Sequence, residues 1–168
     1  MNTARQEFDS NKDLLHAIAK GQAAIVMTAH AYLDYLDTHN NSDALLGGVY
    51  VDGDLDVDHR TNLDMSSLTG VSGSLNMEGC ERVVLGASII GKDFNAEKAA
   101  IIEAPNLRII GGRALLSRSF EITAPEIEAI DGPLDLRDAD EITSRIGNTY
   151  VAGKIYSPTE RYMSELIC

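Results

Sequence analysis

The chain has no tryptophan, three phenylalanines and six tyrosines, so aromatic residues make up only 5% of its 168 positions. That scarcity excludes a thick globular core built around large rings, although 44% of the residues are hydrophobic. Such a core must be filled by Val, Ile, Leu and Ala in thin layers. The two cysteines, Cys80 and Cys168, make neither a disulfide framework nor a CxxC metal motif. No apolar run approaches the roughly 20 residues of a membrane-spanning helix, and the stretch from Met1 to Lys12 is polar rather than leader-like. A soluble, cytoplasmic protein is the expectation. Basic residues are also scarce, 14 Lys and Arg against 26 Asp and Glu, for a net charge of −12. A surface of that sign repels nucleic acid and excludes direct nucleic-acid binding as the main role. It attracts basic surfaces, including those that hold phosphates. Excess charge also simply keeps a small protein from associating.

What is present divides the chain in three. From Asn11 to about Asp37 apolar residues recur at helical spacing: Leu14 and Ile18, then Ile25, Ala29, Tyr32 and Leu36. Gly21 is expected to separate a short first helix from a longer second one. Thr38 to Asp43 is a loop by composition. Residues 1–45 are thus read as a helical cap, 46–157 as a repeat domain and 158–168 as a capping tail.

The repeat has a short motif, apolar-x-Gly-x-apolar-x-apolar. It runs through Val51-Asp52-Gly53-Asp54-Leu55-Asp56-Val57 and Val71-Ser72-Gly73-Ser74-Leu75-Asn76-Met77. It degrades at Ile89-Ile90-Gly91 and Ile110-Gly111-Gly112, then returns at Ile130 to Leu136 and Val151 to Ile155. The motif glycines 53, 73, 91, 112, 132 and 153 lie 20, 18, 21, 20 and 21 residues apart. A second motif precedes them, in which Leu63-x-Met65-Ser66-x-Leu68 matches Ile102-x-Ala104-Pro105-x-Leu107 and Ile122-x-Ala124-Pro125-x-Ile127. Pro105 and Pro125 then fall at one corner of successive coils. A single twenty-residue coil cannot bury its inward side chains alone, but stacked coils join them into one core. The fold class expected is mainly β, a short β-solenoid (β-helix) of about six coils with an N-terminal α-helical cap. The motif glycine should serve a positive-φ corner or a close turn of the chain.

Stretches such as Ala104-Pro105-Asn106-Leu107-Arg108-Ile109-Ile110-Gly111-Gly112 and Ala124-Pro125-Glu126-Ile127-Glu128-Ala129-Ile130-Asp131-Gly132 carry a resemblance. They resemble single-stranded β-solenoids of the leucine-rich-repeat and receptor-L-domain kind, over about two-thirds of the chain. The sequence departs from ordinary leucine-rich repeats in lacking a regular Asn ladder, and from hexapeptide acyltransferases in lacking a six-residue period. The resemblance implies the architecture, and binding of proteins or glycans along one face.

The sharpest local feature is Asp52, Asp54, Asp56 and Asp58, alternating with Val51, Gly53, Leu55 and Val57. In one strand all four carboxylates would project from the same face, about 6.6 Å apart. Asp64 follows one corner later. A second cluster is Asp131, Asp135, Asp138, Asp140 and Glu141. Three readings compete for these acids: a solvated face that blocks edge pairing, a calcium site, and a carboxylate ladder that mimics phosphates. The calcium reading fails because apolar residues interleave the Asp and no downstream Glu has the required offset. Mimicry meets an objection, since Ser72, Ser74, Asn76, Lys92, Arg113, Arg137 and Lys154 interrupt the outward column in later coils. His16, His30, His39 and His59 are scattered, and no nucleophile motif or phosphate-cradling loop is present. No catalytic residue, cofactor or metal is expected.

The function expected is a non-catalytic acidic protein–protein interaction module, with the two Asp clusters as its contact residues. Its partner would be a basic protein surface, such as that of a nucleic-acid-binding protein. A phage or mobile-element inhibitor of the anti-CRISPR kind, acting as a nucleic-acid mimic, fits that description. The alternatives are a self-assembling solenoid of the bactofilin type and a glycan-binding module. The N-terminal helices are a candidate homodimer contact.

Overall fold

Each repeat turns three corners, because its inward apolar residues come in three short groups separated by Gly, Pro, Ser or charged residues. The computed structural model describes residues 3–139, 141–143 and 149–156. In it the repeats stack into a parallel β-solenoid with three walls. The first wall stacks β1 (Ile25–Thr28), β2 (Val49–Asp52), β5 (Leu68–Val71), β8 (Ile89–Ile90), β11 (Ile109–Ile110), β14 (Ala129–Ile130) and β17 (Tyr150–Val151). The second stacks β3 (Leu55–Asp56), β6 (Leu75–Asn76), β9 (Phe94–Asn95), β12 (Ala114–Leu115), β15 (Leu134–Asp135) and β18 (Ile155–Tyr156). The third stacks β4 (Leu63–Met65), β7 (Arg82–Leu85), β10 (Ile101–Glu103), β13 (Glu121–Thr123) and β16 (Glu141–Thr143). The expected tail, 158–168, lies outside the described residues.

Registers run in step from coil to coil, so inward residues form columns. One column is Leu55, Leu75, Phe94, Ala114 and Leu134. All are buried in the lumen. The Phe94 ring is accommodated because its own coil supplies Ala96 and Ala99, and the next coil places Ala114 beside it. Volume is thus conserved between layers that differ in sequence, as close packing requires.

The first wall differs from the others in that its strands from β2 to β14 are largely buried on both faces. Helix α1 (Thr3–Gln22) lies along its outside, where Leu15 and Ala19 pack on Tyr50, Ile89, Ile109 and Ala129. This is why β8 and β11 are Ile-Ile doublets: one residue faces the lumen and the other faces the helix. A helical turn rises about 5.4 Å and a coil about 4.8 Å, so positions three or four apart on α1 meet successive coils. Thr69 Oγ1 donates to the Ala19 carbonyl at 2.8 Å, and His16 Nδ1 lies 2.7 Å from the Tyr50 hydroxyl. The helix is a flank along the stack rather than a lid on its end.

Closing the end falls to the next elements. The spacing read as a second helix from Ile25 is instead a strand followed by a helix. β1 pairs with β2 from Ile25↔Val49 to Thr28↔Asp52. β-branched Ile25, Val26 and Thr28 suit the open edge of β2, and the match of Ile25 to Ala29 at helical spacing is accidental. Helix α2 (Ala29–Thr38) then starts on Thr28, whose hydroxyl accepts from Ala31 N–H at 3.3 Å. It buries Tyr32 and Leu36 completely over the lumen. The chain returns through Asn40 and Asn41, both left-handed, and pairs with β4 through Asp43 N–H to Asp64 O and Asp64 N–H to Asn41 O, each 2.9 Å.

Corner chemistry also departs from expectation. Among the motif glycines only Gly53 has positive φ, at 122°. The recurrent left-handed position is at the corner between the second and third walls, occupied by His59, Gly79, Lys98, Arg118 and Asp138 with φ between 54° and 65°. Four of these five carry a Cβ that the left-handed region penalises by about 1–2 kcal/mol. Arg118→Gly is therefore expected to raise stability by about 0.5–1 kcal/mol, after the extra unfolded-state entropy of glycine is deducted. Chemical denaturation measures this, and a destabilised variant would contradict it.

Candidate functional site

Because Gly53 turns the chain at the end of β2, the four clustered Asp do not lie on one strand. Asp52 ends the first wall, Asp54 sits just past the Gly53 corner, Asp56 is in β3 of the second wall, and Asp58 is in the next corner. The single strand face expected from their alternation is replaced by a band around two corners of the first coil. All four stay exposed.

Each carboxylate is anchored on one side by the second coil or the corner itself. Asp52 Oδ1 accepts from Ser72 Oγ at 2.7 Å, and Ser72 Oγ in turn accepts from Gly53 N–H at 2.8 Å. Asp54 accepts from Ser74 N–H at 2.7 Å and lies 3.5 Å from Lys92 Nζ. The Ser74 amide, with the Lys92 charge behind it, holds the Asp54 carboxyl below the usual range. Asp56 Oδ1 accepts from Asn76 Nδ2 at 2.9 Å and from Asp58 N–H at 3.3 Å. Asp58 is 3.1 Å from His59 Nδ1. Asp52, Asp54 and Asp56 are therefore held by the second coil, while among the described residues the Asp58 carboxylate meets only the adjacent exposed His59.

Asp56 also belongs to a column that is irregular in sequence. At the same corner, Asn76 Oδ1 accepts from Glu78 N–H, Asn95 Oδ1 from Glu97 N–H, and Asp135 Oδ1 from Arg137 N–H, at 3.0–3.2 Å. This is a mixed Asp/Asn ladder, broken at Leu115, in which the side chain satisfies the corner amide two residues on. Part of the acidic signal is thus structural.

The remaining candidates separate. Asp64 is half-buried at the cap junction, accepting from Ser66 N–H at 3.1 Å. Asp131 is half-buried after β14, and Asp138 is exposed at its left-handed corner. Asp135 is only 7% exposed and is gripped by both Arg137 Nε and Nη2, at 2.9 and 2.6 Å, which hold its carboxyl low. Asp140 lies outside the described residues. Glu141 opens β16, in register with Glu121. This second group lies four coils from the first, about 19 Å at 4.8 Å per coil, so the two do not form one patch.

Between them, four of the eight acids of residues 65–130 are matched with bases one coil away. Arg113 pairs with Asp93 at 2.7 Å, Arg82 with Glu103 at 2.8 Å, Arg108 with Glu128 at 2.6 Å, and Lys98 with Glu78. The twenty-residue period that stacks the strands also stacks opposite charges. Such matching fails at the capped end. Residues 28–66 hold eight Asp and a single Lys or Arg, Arg60. Arg60 Nη1 is spent on Asp37 Oδ1 and Asn41 Oδ1, both at 2.6 Å. Asp34 and Asp37 of α2 therefore join the first-coil Asp on one acidic end. Sequence reading leaves them out because it treats α2 only as a cap, although the count of charges along the chain signals them.

A groove of about 480 Å³ runs between α1 and the corner joining the third and first walls, lined among others by Leu15, Ile18, Ser66, Ser88, Asn106 and Arg108. Among the described residues, no three His, Cys, Asp or Glu side chains converge as a metal-ligand set, and no helix is long and apolar enough to cross a membrane. No protein-family model, curated protein or solved structure matches the chain.

Proposed function

We propose that the protein is a non-catalytic interaction module that docks its acidic end against a basic protein surface. The observation that carries this reading is the acidic end itself: eight Asp against one Arg over residues 28–66, with the exposed Asp52, Asp54 and Asp56 each held in place by a hydrogen bond from the second coil. A rigid array of anchored carboxylates loses little side-chain entropy on binding, and it presents fixed negative ends of the kind that basic phosphate-binding grooves accept. The natural partner class is a nucleic-acid-binding protein of the cytoplasm, its groove blocked by this end, as an inhibitor of the anti-CRISPR kind would do. Self-assembly end to end is disfavoured in this reading, because α2 covers the lumen and Asp56 stands on the open edge of β3.

The test replaces Asp52, Asp54, Asp56 and Asp58 together by Asn, which keeps each acceptor for its amide or hydroxyl donor. A control removes four charges elsewhere, as Glu81→Gln, Glu97→Gln, Glu121→Gln and Glu126→Gln. Wild type and control should retain basic proteins from a cell lysate, released by added DNA or salt. The Asn variant should lose at least about tenfold in affinity for the recovered protein. Equal retention by all three forms, or recovery of no basic protein, would sink the proposal.

A further inference from the structure

The flank helix α1 leaves one face uncovered, and that face is the exception to the molecule's charge. Residues 1–27 carry three acids and three bases, so the segment is neutral on a chain of net charge −12. With Leu15 and Ala19 turned to the first wall, Leu14 points away from it and Ile18 lies at the rim of the groove beside α1; they are 59% and 42% exposed. Ala17 and Gly21 are exposed beside them. At about 100° per residue, Leu14, Ala17, Ile18 and Gly21 share an arc of about 100°. Asp13 and Lys20 lie together on one flank of that arc, within about 20° of each other. Two large aliphatic side chains and two small residues make a strip on which another helix can approach closely.

We infer that this strip pairs with its own copy, α1 against α1 in antiparallel orientation about a two-fold axis near residues 16 and 17. The charges select the occupant and its direction. A two-fold axis at that point sets Asp13 of each chain level with Lys20 of the other and on the same flank, so both ion pairs form at once. Leu14 of one copy falls beside Ile18 of the other, twice. A parallel pairing would place Asp13 and Lys20 of the two chains on opposite flanks, so neither ion pair would form.

Antiparallel pairing also suits the rest of the molecule. Ala19 lies over the second coil and His16 over the third, as the bond from Thr69 to the Ala19 carbonyl and the approach of His16 to Gly91 indicate. Reversing the helix about residues 16 and 17 therefore sends the two acidic ends in opposite directions. Repulsion between the −12 charges is then smallest where the contact is made. The inference does not depend on what the acidic end binds.

The experiment is sedimentation equilibrium of the full chain over about 10–300 µM, the range suited to a small interface. Wild type should move toward twice the monomer mass as concentration rises, and less so at high salt. Asp13→Lys alone and Lys20→Asp alone each create two like-charge contacts in the pair, and each should dimerise at least about tenfold more weakly. In an equimolar mixture of the two variants, one chain is basic at both positions and the other acidic at both. Every flank contact of the mixed pair then joins opposite charges again, and the mixture should recover the wild-type mass. Both sites are exposed, so unchanged circular dichroism and melting establish that the variants fold. Wild type that stays monomeric throughout would overturn the inference and leave the strip to a different protein. So would a dimer that survives in both single variants, or a mixture that fails to recover.

Discussion

Replacing Gly132 by valine is expected to cost about 3 kcal/mol or more of folding stability. A Cβ built on Gly132 would stand 2.8 Å from the carbonyl carbon and oxygen of Gly112 and from Arg113 N. Those neighbours are backbone of the coil beneath, and side-chain rotation cannot relieve the clash. The coils would have to separate locally, yet on either side they are tied by Asp131 N–H to the Ile110 carbonyl at 2.9 Å and Ala114 N–H to the Pro133 carbonyl at 3.0 Å. Separation breaks such bonds and opens the lumen next to Ile130 and Leu134 together. Gly21→Ala is the matching control: nothing lies within 4 Å of that Cβ, and the helical site should gain a few tenths to about 1 kcal/mol. Urea denaturation of both variants checks the contrast. A Gly132→Val variant within about 1 kcal/mol of wild type would mean that the coils can part without breaking the ladder.

This corner shows why the fold was legible in the sequence and its details were not. Glycines 73, 112, 132 and 153 report a spatial period directly, because each lies where one coil presses on the last, whereas Gly53 meets nothing within 4 Å and Gly91 stands one position earlier, stacked with Gly111. The left-handed corner left no comparable mark. It accepts His59, Gly79, Lys98, Arg118 and Asp138, five residue types that share only a backbone angle. The Asp/Asn ladder was hidden for a related reason: Asp and Asn serve equally as acceptors for the corner amide, so a search for asparagine alone sees a broken pattern. β1 was hidden by coincidence, since four residues of strand flowing into a helix kept the apolar spacing of a helix. The acidic clusters were legible as composition, but Gly53 decided their geometry by sending Asp52 and Asp56 to different walls. What separated structural from exposed acids was pairing at twenty-residue separation, which a residue-by-residue reading does not track.

The acidic end depends on a buried carboxylate that holds it to the solenoid. Asp43 is completely buried, with Oδ2 accepting from the Tyr32 hydroxyl at 2.7 Å and Oδ1 from Ser67 N–H at 2.9 Å. It thereby joins α2, the return segment and the corner before β5. Asp43→Ala should cost about 3–5 kcal/mol, because it leaves a buried hydroxyl and an amide without acceptors as well as a void. Hydrogen exchange should locate the loss, speeding first in residues 25–46 while coils three to five keep their protection. Asp43→Asn tests the charge separately, since its Oδ1 can still accept from Ser67 N–H and its Nδ2 can donate to the Tyr32 oxygen. Burial, reinforced by nearby Asp64 and only partly offset by the Ser67 and Tyr32 bonds, raises the Asp43 carboxyl above its ordinary value. A group raised in the folded state weakens the fold at pH values above that raised value. The penalty fades as pH falls toward the ordinary Asp value. The Arg-held carboxyls of Asp93 and Asp135 behave oppositely, adding stability above the ordinary Asp value and losing it as pH falls through their lowered values. Stability of wild type relative to Asp43→Asn should therefore improve as pH falls from neutral toward about 4, before the loss at Asp93 and Asp135 removes stability from both proteins alike. Paired urea titrations across that range measure the difference, and a gap that stayed constant with pH would show that Asp43 is not the titrating group.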